Sequence, residues 1–150
     1  YTSYPTAPHF GPLDPATYAG WLLSAQPEDA LSLYVHVPFC HELCWYCGCH
    51  TSVTRSAARI ARYGAGLEKE AAMVAALLPG HGGVAALHLG GGTPTALGAE
   101  GLRRIAAALR RLFAFRAGSE VAGRGRRSPR GGRRSPGPGS EVAACWLNTT

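Results

Sequence analysis

Four of the chain's five cysteines fall within ten consecutive positions, Cys40, Cys44, Cys47 and Cys49, in the stretch "YVHVPFCHELCWYCGCHTS". Thiols spaced C-x3-C-x2-C have three uses. A disulfide pair is the weakest, since nothing marks the chain as secreted and two-residue spacings strain the bond. A structural zinc site asks for four closed ligands, and Cys49, His41 or His50 could complete one, but the second separated pair usual in zinc knuckles is missing. The third use is an iron–sulfur cluster, because cubane clusters are held by closely spaced thiolates. Three thiolates on a four-iron cluster would leave one iron open to a non-protein ligand. Phe39, Trp45 and Tyr46 would then wall the cluster from water and tune its potential, although for Phe39 simple core packing is the better reading. Cys49 reads equally well as a small buried hydrophobe.

A second stretch, "GGGTPT" at residues 90–95, suits close approach of backbone to a ligand. Gly91 and Gly92 carry no side chain to obstruct it, and Pro94 holds Thr93 extended with its hydroxyl and amide in fixed directions. A bare strand-to-helix turn would look the same, so the pairing with the cysteines carries the weight.

The flanking residues say how both stretches are positioned. Leu31, Leu33, Val35 and Val37 alternate with Ser32, Tyr34 and His36, a strand that Pro38 ends just before the cysteines. "DPATYAGWLLSA" predicts a short helix with Pro15 in its first turn and Asp14 as cap. Residues 56–78 predict an Ala-rich helix capped by Ser56, weakened by Gly64 and Gly66. "GVAALHLGGGTPT" predicts a second buried strand entering the glycine turn. "GAEGLRRIAAALRRLFAF" predicts an amphipathic helix with Leu102, Ile105, Leu109 and Leu112 on one face, and "SEVA" opens a third strand. Strand, helix, strand, helix, strand is the order of a parallel α/β fold, in which chemistry gathers beyond the carboxyl ends of the strands. Both special stretches stand at that end, so they are expected to face one pocket.

Composition narrows the classes. The 150 residues suffice for one modest core, and no apolar run approaches the roughly 20 residues that span a bilayer. The opening "YTSYPTAPHF" has neither the charged start nor the apolar centre of a secretory signal, and the first residue, Tyr1, suggests an incomplete or processed start. The net charge of +6 is uneven: residues 116–150 hold seven arginines against two glutamates, while residues 1–115 are nearly balanced. The excess thus belongs to a tail and says little about partners of the main body. From residue 123, "GRGRRSPRGGRRSPGPGS" contains only Gly, Arg, Ser and Pro, and disorder is expected over 123–150. Three segments follow: an extension over 1–30, an α/β core over 31–122, and this basic tail.

With an aromatic directly before the third thiol and a strand before the first, "YVHVPFCHELCWYCGC" resembles the radical S-adenosylmethionine (SAM) enzymes. Together with "GGGTPT" and the opening "YTSYPTA", it is similar to the oxygen-independent coproporphyrinogen III oxidase family over about residues 1–122. The resemblance implies the first units of a partial parallel (β/α) barrel. It also implies that Cys40, Cys44 and Cys47, but not Cys49, bind a [4Fe-4S] cluster whose open iron chelates SAM. Tyr34, Tyr46, Gly91, Gly92 and Thr93 would contact SAM, and no residue is assigned a catalytic role of its own. His36 matches the family's histidine but reads almost as well as a structural one; His88 reads as structural. The reaction implied is reductive cleavage of SAM to a 5′-deoxyadenosyl radical. Two propionates of coproporphyrinogen III are then decarboxylated to vinyls, giving protoporphyrinogen IX in heme biosynthesis. The implied setting is a cytoplasmic monomer served by an electron donor of unknown identity, with no membrane or nucleic-acid partner. Two alternatives stand beside this: a heme-chaperone-like radical SAM relative, and a zinc-stabilised nucleic-acid-binding module with a phosphate-gripping arginine tail.

The resemblance breaks after "SEVA". The family continues with a "VEVDPR"-like segment whose glutamate contacts SAM, whereas Arg124 stands at that position here. Gly-Arg-Gly-Arg-Arg codons read one nucleotide later can encode Val-Glu-Val-Asp, so a frameshift near residue 123 is expected, which resequencing tests. The remaining strands of a barrel would then be missing, and the chain alone is expected to fold poorly and to be inactive. Cys145, in the tail, has no inferred role.

Overall fold

The computed structural model describes residue 9, residues 11–45, 47–78 and 80–123, and the backbone of 143–147. The opening "YTSYPTA" and Tyr46 lie outside the described residues. Helix α1 spans Pro15–Leu23 and begins as expected, with the Asp14 carboxylate accepting the Thr17 N–H at 2.9 Å and Pro15 in the first turn. None of its residues is buried, and Trp21 and Leu23 stand exposed.

Strand β1, Leu31–Val37, buries its four odd-numbered residues and leaves the even ones half-buried. Two short strands, β2 (Phe39–Cys40) and β3 (Ser52–Val53), pair in parallel, a ladder that no sequence pattern announces. Helix α2 spans Ala57–Leu77, capped by the Ser56 hydroxyl on the Arg59 N–H at 3.3 Å. It runs unbroken through Gly64 and Gly66, because packing of Leu67, Ala71 and Val74 outweighs the roughly 1 kcal/mol by which each glycine disfavours helix.

Strand β4, Val84–Gly91, leads through a 3-10 turn at Pro94–Leu97 into helix α3, Gly98–Leu112. The expected helix through Phe115 stops earlier. Phe113 turns extended and is buried at 2 % exposure, so the core takes the ring that the helical pattern had assigned to a further turn. Strand β5 therefore starts at Phe115 and runs to Gly123. Strand β6, Ala143–Leu147, follows. Of the tail expected to be disordered over 123–150, Gly123 and the backbone of these five residues are described, and the rest lies outside the described residues.

The main sheet has the order β5-β4-β1-β6, with every neighbouring pair parallel. The structure is thus a parallel α/β sheet, and no barrel closes among the described residues. The odd residues of β1 share one core with Leu67, Ala71 and Val74 of α2 and Ile105 and Leu109 of α3. Both helices therefore cover the same face of the sheet. Leu102 and Leu112 pack against that core from its rim, and an Arg104–Glu68 ion pair at 2.8 Å ties α3 to α2 on the outside. Among the described residues no helix is long and apolar enough to cross a membrane.

Candidate cofactor site at the carboxyl ends of β1 and β4

The cysteine segment is a loop pinned at both ends. The Ser52 N–H donates to the Pro38 carbonyl at 2.7 Å and the Thr54 N–H to the Cys40 carbonyl at 3.1 Å. Between those anchors Cys44, Cys47 and Cys49 are exposed, while Cys40 at the root is buried. Cys49 is accordingly not a buried hydrophobe. All four carry thiols rather than disulfides.

Adjacent strands bring the second motif to the root of this loop. Val37 lies opposite Gly91 in the β1–β4 register. Beyond that pair the Gly92 N–H donates to the Val37 carbonyl at 2.7 Å and the Thr93 N–H to the Phe39 carbonyl at 2.8 Å. The Thr93 hydroxyl reaches Cys40 Sγ at 3.6 Å. Cys40, Gly92 and Thr93, up to 53 positions apart in the chain, therefore stand side by side at the strand ends.

The glycines have a cause that the sequence did not reveal. A Cβ on Gly92 would lie 2.6 Å from the Phe39 carbonyl oxygen and 2.9 Å from Cys40 Sγ. One on Gly91, whose φ is +97°, would lie 2.7 Å from the His36 ring. One on Gly90 would lie 2.5 Å from the Tyr34 hydroxyl. The three glycines thus make room for β1 side chains and for the loop's root.

Tyr34 and His36 point away from the helix-covered core, each half-buried. Tyr34 stacks on His88 of β4, ring centroids 5.7 Å apart and planes 8° from parallel, and stands 6.1 Å from the His36 ring. His36 Nε2 lies 3.0 Å from the His50 carbonyl, so it holds the far end of the cysteine loop against β1. The His36 carbonyl in turn accepts the Tyr63 hydroxyl of α2 at 2.8 Å. Sequence reasoning missed Tyr63, which stands in no pattern that separates it from a surface residue, and raised His50 only as a possible zinc ligand, not as a backbone partner of His36.

The walls expected around a cluster are only partly present. Phe39 belongs to the core, packed edge-on to Tyr63 at 5.1 Å with Arg59 over its ring. Trp45 is 96 % exposed and walls nothing among the described residues, because the short loop holds it out beyond the strand ends. Among those residues no three His, Cys, Asp or Glu side chains gather as a metal site. In residue type the donor set nonetheless fits a thiolate-bound cluster: one thiol fixed at the root, two exposed in a loop whose ends are tied.

The parallel sheet carries a cysteine loop and a glycine turn at adjacent carboxyl ends, and in this it is similar to a radical SAM enzyme of known structure. A solved structure of Escherichia coli coproporphyrinogen III oxidase, described as a radical SAM enzyme, superimposes with a TM-score of 0.74 at 42% identity, covering 82% of this chain and 28% of that one. In sequence the chain is similar to the amino-terminal quarter of oxygen-independent coproporphyrinogen III oxidases. It is 47% identical over 123 residues to that of Bradyrhizobium diazoefficiens, covering 81% of this chain and 27% of the relative. It is 43% identical over 122 residues to that of Paracoccus denitrificans, covering 80% and 27%. The chain thus spans about a quarter of the length of the curated relatives it matches. No protein-family model matches it.

Proposed function

We propose that this chain carries the cluster- and SAM-binding part of a radical SAM coproporphyrinogen III oxidase. The observation that carries the reading is the contact between Cys40 and Thr93, which joins the cysteine loop to the glycine turn. Cys40, Cys44 and Cys47 would hold a [4Fe-4S] cluster, with SAM against Gly91, Gly92, Thr93, Tyr34 and, by resemblance, Tyr46. Such a cluster with SAM on its open iron supplies one-electron reductive cleavage of a carbon–sulfur bond.

The chain's own residues have separable tasks. Thr93 and the carbonyls of Val37 and Phe39 fix the root of the loop. His36 fixes its far end through His50. Tyr34 and His88 form a flat aromatic surface beside that end, suited to the face of a nucleoside base. Coproporphyrinogen III would be the substrate of the complete enzyme, a cytoplasmic monomer supplied with electrons by a donor of unknown identity. The division into an extension over 1–30, a core over 31–122 and a tail after it belongs to the same proposal.

Anaerobic reconstitution with iron and sulfide tests this directly. The expected product is brown, holds about four irons per chain, and changes its electron paramagnetic resonance spectrum when SAM is added. A colourless chain that retains zinc and binds nucleic acid would establish the zinc-module alternative instead. A brown chain whose spectrum ignores SAM would refute the SAM site.

A further inference from the structure

We propose that residues 143–147 cap the outer edge of β1 within the same chain, shielding a strand edge that would otherwise be free to pair with another molecule. The argument starts from the alternation of backbone groups along β1. The Leu31 N–H bonds to the Gly83 carbonyl and the Val37 carbonyl to the Gly92 N–H, both on the β4 side. Residues 31, 33, 35 and 37 therefore direct their N–H and C=O groups toward β4. Ser32 and Tyr34 direct theirs to the opposite edge.

At the top of that edge the His36 carbonyl is taken by the Tyr63 hydroxyl. Below it, β6 runs parallel to β1 with Ser32 opposite Ala144 and Tyr34 opposite Trp146. In a parallel ladder a residue's groups reach the neighbours of its partner. The β6 groups facing β1 thus belong to Ala143, Cys145 and Leu147, and those of Ala144 and Trp146 face outward.

The chain permits this connection. The nineteen residues 124–142 reach about 65 Å when extended. The start of β6 lies about three strand spacings of about 5 Å and one strand length of about 17 Å from the end of β5, within that reach. Composition singles out the same segment: "VAACWL", residues 142–147, is an apolar run that follows eighteen residues of only Gly, Arg, Ser and Pro and a single glutamate, Glu141. An open edge on a strand whose other groups are fully paired is a template for association, and a strand from the same chain removes it.

Residue-resolved hydrogen exchange on the full 150-residue chain tests the cap. Ser32 and Tyr34 amides should exchange slowly, like Leu33 and Val35, and their protection should not depend on chain concentration. Cys145→Pro removes a donor that faces β1 and should speed exchange at Ser32 and Tyr34 by about tenfold or more, leaving Leu33 and Val35 unchanged. Ala144→Pro removes an outward N–H and should leave all four amides slow. Fast exchange at Ser32 and Tyr34 in the parent chain, with Leu33 and Val35 slow, would overturn the proposal, and this holds whether or not the proline variants fold. Protection unaffected by Cys145→Pro would overturn it as well. Protection that grows with concentration would assign the edge to a second copy and refute capping in cis.

Discussion

At Gly92 a single methyl group decides whether the two motifs can stay together. An alanine Cβ there meets a backbone oxygen at 2.6 Å, which cannot rotate away as a side chain would. Gly92→Ala should destabilise the fold by about 1–3 kcal/mol and lower the iron retained after reconstitution. Denaturant unfolding and iron analysis check both effects. Thr93→Val removes only the hydroxyl that reaches Cys40, while the Thr93 amide keeps its bond to Phe39. Its stability cost should stay under about 1 kcal/mol. The order matters: if Thr93→Val proved the more damaging, the hydroxyl rather than the close backbone approach would organise the site. In the sequence these glycines read as room for a ligand; the register shows that His36, Tyr34 and the Phe39–Cys40 backbone occupy that space.

Among the elements, β1 depends on α2 and α3 in different ways. Leu109 of α3 is 1 % exposed within the core that β1 and α2 share. Leu109→Ala should cost about 2–5 kcal/mol, a large share of the stability of a domain this size, and shift the midpoint of thermal unfolding accordingly. Tyr63 of α2 acts at one point, the His36 carbonyl. Tyr63→Phe keeps the ring against Phe39 and strips that carbonyl of its donor, a loss of about 1–2 kcal/mol by denaturant titration. The helix caps at Asp14 and Ser56 were legible in the sequence because each serves its own next turn. The end of α3 was not, since Phe113 leaves the helix for a core assembled from distant segments.

For the whole molecule, what counts is the face of the sheet opposite the helices. It carries Tyr34, His36 and His88, and no element described here covers it. Radical chemistry needs a site from which water is excluded. The 150-residue chain should therefore form no protoporphyrinogen when supplied with coproporphyrinogen III, SAM and reductant, even when it holds iron and sulfide. Chromatography of the oxidised porphyrins measures this, and product above the level of a chain-free control would mean that the face is closed by other means.

By itself the sequence determined the local matters: which thiols are close along the chain, the period-2 burial of residues 31–37, the capped helix starts and the parallel α/β order. Each of these depends on neighbours within a few positions. Tertiary structure alone decided that Thr93 lies on Cys40, that β2 and β3 close the cysteine loop, that Tyr63 reaches the His36 carbonyl, and that a strand follows the arginine-rich stretch. Those contacts join residues tens of positions apart, and their energies come from register and close packing, which no single segment encodes.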